Sequence, residues 1–329
     1  MKSFEWVDAT SVEQAATLLA EGDADKPVVA KAGGMDLLDL MKEGIISPSR
    51  VVNLKSIRGL DALSFSQPEG LNLGTLVTLA RIATAPEIRQ QYVALADAAA
   101  RASTPQVRNA ATIGGNLLQQ PRCWYFRSEH FHHTGSDIAG YVRDGENQYH
   151  AIFDNARSAI VHASTQATAL VAYDARVELS DPQGKQRTVA VKDFFLAPDA
   201  SRERDTVIER GEVLTRVIVP APGPGTRAAY HKQTERESYD WPICDVAVVL
   251  RMEGRRVRAA SIVMGWVAPA PRRAVESERI LTGKNVSEGL AREAARAAVA
   301  EATPLSKNAY KVPVLEAVVR RTILAAARA

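Results

Sequence analysis

Cysteine is nearly absent, with Cys123 and Cys244 the two thiols in 329 residues. Two thiols cannot build the framework of a disulfide-stapled domain, so a reducing cytoplasm is the expected compartment. Aromatic residues make up 6% of the chain, and no run of Lys or Arg is interleaved with them. With 41 basic against 38 acidic residues and a formal net charge of +3, nucleic acid is not an expected partner. Behind the opening MKSFEWVDATSVEQA there is no apolar segment of signal-peptide length, and no later stretch could span a bilayer. Internal repeats are missing, although the C-terminal end is Ala-rich. Neither G-x-G-x-x-G nor G-x-x-x-x-G-K-[ST] occurs, and G-x-S-x-G and H-E-x-x-H are missing as well. No Cys–His pair at a known spacing suggests a nucleophile with its base.

What is present is the composition of a packed globular protein, 46% hydrophobic and 24% charged. The length suits two or three domains, and APGPGTRA at 221–228 is the clearest linker, which predicts domains over 1–221 and 222–329. Thr10 and Ser11 before VEQAATLLAE predict a capped helix. KPVVAKA and SRVVNLKSI read as strands around the helix GMDLLDLMKEG, which Gly44 closes. LNLGTLVTLARI reads as a strand running into a helix start, and QYVALADAAARA as a helix ended by Thr104-Pro105. From Ala169 on, ALVAYDARVELS, KQRTVAVKDFF and EVLTRVIVP read as strands, with turns at 181–184 and at Gly211. ICDVAVVLRME and RRVRAASIVMGWV form a further strand pair about Gly254. Ala-rich helices then begin near Ser287 and Pro313, the first expected to cover a sheet.

Two Gly-Gly pairs stand out against this background. VVAKAGGMDLLDLMKEG, residues 28–44, places Gly33 and Gly34 between a short apolar run and an amphipathic stretch. STPQVRNAATIGGNLL, residues 103–118, places Gly114 and Gly115 similarly. Taken singly, each pair reads as a tight turn. Taken together, they could close on one diphosphate, because glycine lets the backbone come close and offers N–H donors to an anion.

The order KAGGMDLLDLMK, VRNAATIGGNLL, HKQTERESYDWPICDVAVVL resembles the FAD-binding (medium) subunit of the molybdenum hydroxylases, the xanthine dehydrogenase and carbon monoxide dehydrogenase family. The resemblance covers essentially the whole chain. It implies an α+β fold: a two-part FAD-binding domain of the vanillyl-alcohol-oxidase or MurB-like (PCMH) type, then a C-terminal α/β domain of the CO dehydrogenase flavoprotein type. It also implies a cofactor site. Lys31, Ala32, Gly33, Gly34, Met35, Asp36 and Leu37 would hold the FAD diphosphate with Ala111, Thr112, Gly114, Gly115 and Asn116, while Leu214 and Lys232 would approach the flavin. Molybdopterin and [2Fe–2S] clusters would sit on partner subunits, a large and a small one, in a heterotrimer that could itself dimerise.

Residues 117–160 resemble the insert of the branch containing 4-hydroxybenzoyl-CoA reductase and the periplasmic aldehyde oxidoreductase, whose inserted loop carries four cysteines on a [4Fe–4S] cluster. Here Cys123 stands alone in that stretch, so no [4Fe–4S] cluster is expected. His162-Ala163-Ser164-Thr165 replaces the branch's histidine followed by Pro-Ser-Asp. His130, His132 and His133 with Cys123 offer ligands that zinc could use, yet their spacing fits no familiar zinc site and no metal is expected. Trp124, Tyr125 and Phe126 either stack on the cofactor or simply pack. A chain without a nucleophile–base constellation suits electron transfer, in which a bound flavin carries the redox chemistry. The alternative is a free-standing FAD-dependent oxidoreductase of the MurB-like type, which would need a general acid or base over the flavin.

Overall fold

The computed structural model describes residues 1–128, 141–156, 159–196 and 205–329. Its chain builds three sheets in succession. Strands β1 (Glu5–Asp8), β2 (Val28–Lys31) and β3 (Arg50–Asn53) form a parallel sheet in the order β1-β3-β2, with helices α1 (Val12–Glu21) and α2 (Leu37–Lys42) between them. Ser11 caps α1 through the Gln14 N–H, as its position before the apolar periodicity predicts.

Next come β4 (Leu63–Ser66) and β5 (Gly70–Gly74), then helices α3 (Leu79–Thr84), α4 (Pro86–Gln91), α5 (Val93–Ala100), α6 (Pro105–Ala110) and α7 (Ile113–Leu117). After the insert, α8 (Thr165–Ala172) leads into β6 (Arg176–Ser180), β7 (Gln186–Ala190) and β8 (Val213–Val219). These strands make a five-stranded antiparallel sheet in the order β4-β5-β8-β6-β7. The third sheet, β12-β11-β10-β9, comprises β9 (Thr226–Gln233), β10 (Cys244–Glu253), β11 (Arg256–Gly265) and β12 (Arg272–Arg273). Helices α9 (Val275–Leu281), α10 (Glu288–Val299) and α11 (Lys311–Arg328) complete the described chain, and no helix among the described residues is long and apolar enough to cross a membrane.

Several expectations need correction. Thr104-Pro105 does not end a helix but starts one: Thr104 caps α6 and Pro105 takes its first turn, where a missing N–H costs nothing. ALVA, read as strand, belongs to α8, all eight residues of which are buried. A helix covered on every side has no polar face, so its sequence shows no 3.6-residue period. The linker region already enters β9 at Thr226. Strand β1, the short strand β4 and helix α9 carry no reading in the sequence. Helix α10 buries Ala291, Ala294, Ala295 and Ala298 and packs on α9 and α11, whereas α11 covers β9 and β10 and α9 packs on β11.

Helix α8 packs against α5, β10 and β11. One apolar cluster therefore takes in the five-stranded sheet together with Tyr230, Ala247 and Val263 of the four-stranded sheet. Strand β10 alternates as a two-sided strand must: Val246, Val248 and Leu250 face a second cluster beneath α9–α11, and Ala247 faces the first. At the joint between the two sheets lies Asp245, fully buried, which accepts hydrogen bonds from Tyr230 Oη (2.6 Å) and Thr168 Oγ1 (3.0 Å). A Cβ at Gly265 would stand 2.0 Å from Asp245 Oδ1 and 2.1 Å from Thr168 Oγ1, so glycine there is a packing requirement. Burial pushes the Asp245 carboxyl up to about 7, with Tyr230 and Thr168 offsetting part of the cost of charge.

Gly265→Ala should cost about 2–4 kcal/mol in urea unfolding through overpacking of this joint. Gly254→Ala, in an open turn at φ +59°, should cost only about 1–2 kcal/mol through backbone strain. The Asp245 carboxyl binds its proton more tightly folded than unfolded, so its contribution is full below about pH 4 and is lost as pH rises towards the folded value of about 7. Asp245→Asn removes that slope. Its stability relative to the parent should therefore rise between pH 4 and 7, by at most about 1.4 kcal/mol per pH unit; parallel denaturation curves across that range would contradict the burial argument.

Candidate functional site

The two Gly-Gly segments meet at a groove of about 660 Å³, within the size range of cofactor sites. Strand β2 delivers the first at its C-terminal end. There Gly33 lies so close to the second segment that a Cβ would stand 2.2 Å from the Ala110 carbonyl oxygen, and Gly34 adopts φ +77°. Gly33 is thus demanded by the contact between the loops, and Gly34 by a left-handed turn.

The loops supply different things. In the second, Ile113 N donates to Val77 O (2.9 Å), Gly114 N to Thr75 O (3.0 Å), Gly115 N to Thr112 Oγ1 (3.2 Å) and Asn116 N to Thr112 O (2.8 Å). These four donors are consumed by the fold, and only the Thr112 N–H of this stretch has no partner among the described residues. In the first, none of the hydrogen bonds among the described residues uses the N–H of Gly33, Gly34, Met35, Asp36 or Leu37. Five successive free donors bordering a groove make an anion-binding nest. The expectation that both loops offer N–H groups is therefore corrected: one offers donors and the other offers shape. A Cβ at Gly114 would stand 1.9 Å from Thr75 Oγ1, so that glycine serves packing. At Gly115 the added Cβ meets only Thr112 Oγ1 at 3.1 Å, and the absent side chain leaves room on the groove side of the fold.

Ala32, Gly33, Gly34, Met35, Asp36 and Leu37 border the groove, as do Ala111, Thr112, Gly114, Gly115, Asn116 and Leu214. Lys31 does not. Its ammonium lies 5.2 Å from the centre of the Trp6 ring, and burial, reinforced by Lys55, lowers its pKa. Lys232 is also off the wall, donating to the Arg101 carbonyl at 2.8 Å, two residues before the groove residue Ser103. Trp124, Tyr125 and Phe126 line none of it. Tyr125 stacks on Tyr141, and Phe126 packs on the cluster that contains Cys123. His130, His132 and His133 lie outside the described residues.

Gln119, Gln120 and Arg122, wall residues from the start of the insert, carry no sequence signal, and His162, just past its end, stands out in the sequence only for its motif and not as a wall residue. His162 packs on Phe195 with ring centres 4.1 Å apart, and burial pushes it down to about 3, so it stays neutral at physiological pH. The insert is what closes this end. Asp36 of the first loop pairs with Arg122 (2.7 Å) and Arg127 (2.6 Å) and accepts from Gln120 N (2.8 Å); Arg127 also reaches Asp39 (2.7 Å). Asp36 thus spends its carboxylate on the insert, leaving its backbone N–H to the groove. On its other side the insert is fastened to the C-terminal region. Lys311, fully buried, donates to the carbonyls of Tyr149 (3.2 Å), His150 (3.1 Å) and Trp266 (2.8 Å), and burial pushes its pKa down to about 8. Cys123 Sγ meets His150 Nε2 at 3.2 Å with both groups buried. Burial raises the thiol and pushes the imidazole down to about 4, so both are neutral and the contact is structural.

Asp36→Asn should loosen the insert by about 2–4 kcal/mol, because it leaves the largely buried Arg122 guanidinium without a carboxylate and Arg127 with Asp39 alone. Hydrogen exchange at the Gln120 amide should report the loss directly, and unchanged protection there would show that the ion pairs do not hold the segment.

Comparisons with known proteins agree with this geometry. The family described as "FAD binding domain in molybdopterin dehydrogenase" matches residues 2–222, and the "CO dehydrogenase flavoprotein C-terminal domain" matches residues 229–326. The chain is 31% identical over 303 residues to the aldehyde oxidoreductase FAD-binding subunit PaoB of Escherichia coli K12, covering 91% of each chain. It is 28% identical over 327 residues to the carbon monoxide dehydrogenase medium chain of Hydrogenophaga pseudoflava, covering 98% of this chain and 96% of that one. Among solved structures, carbon monoxide dehydrogenase from Hydrogenophaga pseudoflava superposes with a TM-score of 0.77 at 27% identity, covering 99% and 97% of the two chains. Quinoline 2-oxidoreductase from Pseudomonas putida 86 superposes with a TM-score of 0.76 at 25% identity, covering 100% and 99%. With two thirds of its length matched by the first family and nearly all the rest by the second, the chain belongs to the FAD-binding subunits of the molybdenum hydroxylases.

Proposed function

We propose that this chain is the FAD-binding electron-transfer subunit of a heterotrimeric molybdenum hydroxylase acting in the cytoplasm on an aldehyde, an N-heterocycle or a related small organic substrate. The observation that carries the reading is the run of free N–H groups from Gly33 to Leu37 facing a wall in which Gly115 presents no side chain. That pairing suits a diphosphate bridge: donors on one side and close backbone approach on the other. When bound, the flavin would accept electrons from the [2Fe–2S] clusters of a small subunit, fed by a molybdopterin-binding large subunit, and pass them to an external acceptor.

The chain's own residues bind, orient and enclose. Ala32, Gly33, Gly34, Met35, Asp36 and Leu37 would hold the diphosphate by their backbone, with Ala111, Thr112, Gly114, Gly115 and Asn116 shaping the opposite wall. Leu214, buried on β8, offers an apolar face. Lys31 and Lys232 stand off the wall, and we assign them to the periphery of the site. The proposed division runs 1–221 for the FAD-binding part, with its insert at about 117–160, and 222–329 for the C-terminal part. The insert holds one thiol, Cys123, already engaged with His150, which supports a chain without a [4Fe–4S] cluster. The free-standing enzyme is less well supported, since His162 is held neutral by burial and is a poor proton donor over the groove.

The purified chain should be yellow, with one noncovalently bound FAD. Gly115→Val should abolish retention at a smaller cost in stability than Gly34→Val, because its Cβ meets only Thr112 Oγ1, at 3.1 Å. Gly34→Val should lose both FAD and stability, owing to its positive φ. Organic substrates should reduce the flavin only in the assembled complex. Full FAD retention in Gly115→Val, or rapid reduction of the isolated chain by an organic substrate, would overturn the reading.

A further inference from the structure

Beside the groove lies a second cavity of about 190 Å³, and Arg122 and Val161 belong to the walls of both. It is larger than the ~150 Å³ that accommodates a benzene ring in a protein interior. Four aromatic side chains line it, Trp124, Tyr149, Trp241 and Trp266, together with the carboxyl-bearing Glu235 and Asp240. Trp124 and Tyr149 meet edge to face, with centres 5.6 Å apart and planes at 70°, as two adjoining walls would. Trp266 is buried, while Trp124 and Trp241 are 42% and 61% exposed. Large aromatic surface kept open to water around one cavity calls for an occupant.

The charge around the cavity selects its chemistry. Tyr149 Oη donates to Glu235 at 2.7 Å, fixing that carboxylate next to the aromatic walls. Asp240 accepts from the backbone N–H of Arg236 (3.1 Å) and of Trp241 (2.9 Å), and also pairs with the Arg236 guanidinium at 3.2 Å. That guanidinium is 76% exposed, so water screens much of its charge. The one cationic side chain lining the cavity among the described residues, Arg122, is committed to Asp36. Two carboxylates therefore border a cavity walled by three indoles and a phenol ring. We propose that this cavity is a binding site for a small organic cation, a methylated ammonium group free in solution, held by cation–π attraction to the indoles and by the charges of Glu235 and Asp240. The site shares the Arg122 and Val161 walls with the FAD groove but uses none of the Gly33–Leu37 donors.

Titration of the FAD-loaded full chain with tetramethylammonium chloride, at ionic strength matched with sodium chloride and followed by tryptophan fluorescence, tests this. The expected result is saturable binding in the range of about 1–10 mM, with no saturation by tert-butanol, a neutral molecule of similar shape. Trp241→Ala should weaken binding at least about tenfold. Glu235→Gln with Asp240→Asn should also weaken it, while the flavin absorbance of both variants stays unchanged and so reports an intact fold and groove. Three results would overturn the proposal: no saturation in the parent chain, equal binding of tert-butanol, or Trp241→Ala binding as tightly as the parent.

Discussion

Helix α8 holds the rest of the molecule in place because it has no face left for water. All eight of its residues are buried, and it packs on α5 on one side and on β10 and β11 on the other. Its buried hydroxyls need protein partners, since an unmet one is costly. Thr168 meets Asp245 of the four-stranded sheet, and the capping residue Ser164 donates to Asn116 Oδ1 at 2.6 Å in the second glycine loop. The same short helix thus fixes the C-terminal sheet and the shape of one groove wall. Electron transfer through a bound cofactor demands such rigidity, because binding geometry is what the protein contributes.

The four loop glycines, alike in sequence, answer to different physical demands. Gly33 and Gly114 are explained by neighbouring protein atoms, and Gly34 by its backbone angle. Gly115 has the weakest internal cause, a single contact with Thr112 Oγ1 at 3.1 Å, which is why it speaks most directly for a ligand. The insert then ties the donor-bearing loop to the body of the protein. Asp36 is gripped by Arg122 and Arg127 at one end, while Lys311 and Asn308 grip Tyr149, His150 and Ala151 at the other. Relatives of this chain serve complexes that act on quite different molecules, carbon monoxide and aldehydes among them by their names.

Much of the fold was legible because local chemistry announced it. Ser11 before α1, Ser287 before α10 and the glycine turns at 184, 211 and 254 all act within a few residues of where they stand. The groove was legible for a similar reason: a glycine pair marks a special backbone wherever it occurs, and two such pairs in order carried the family resemblance. The elements that stayed hidden are those whose reason is remote. Helix α8 looks like a strand because tertiary burial erased its polar face. Gln119, Arg122 and His162 reach the groove only because the chain returns through the insert.

By itself, then, the sequence determined the alternation of helices and strands, the two glycine loops and the family they belong to, since each depends on residue type at short range. Tertiary structure decided which loop keeps its N–H groups free, because a donor's partner is settled by what folds over it. It also decided that Lys31 and Lys232 stand off the groove wall, and that aromatic and acidic residues from 124, 149, 235, 241 and 266 gather round a second cavity. Separations such as the 86 residues between Tyr149 and Glu235 leave no trace in local periodicity, and only tertiary packing brings such neighbours within reach.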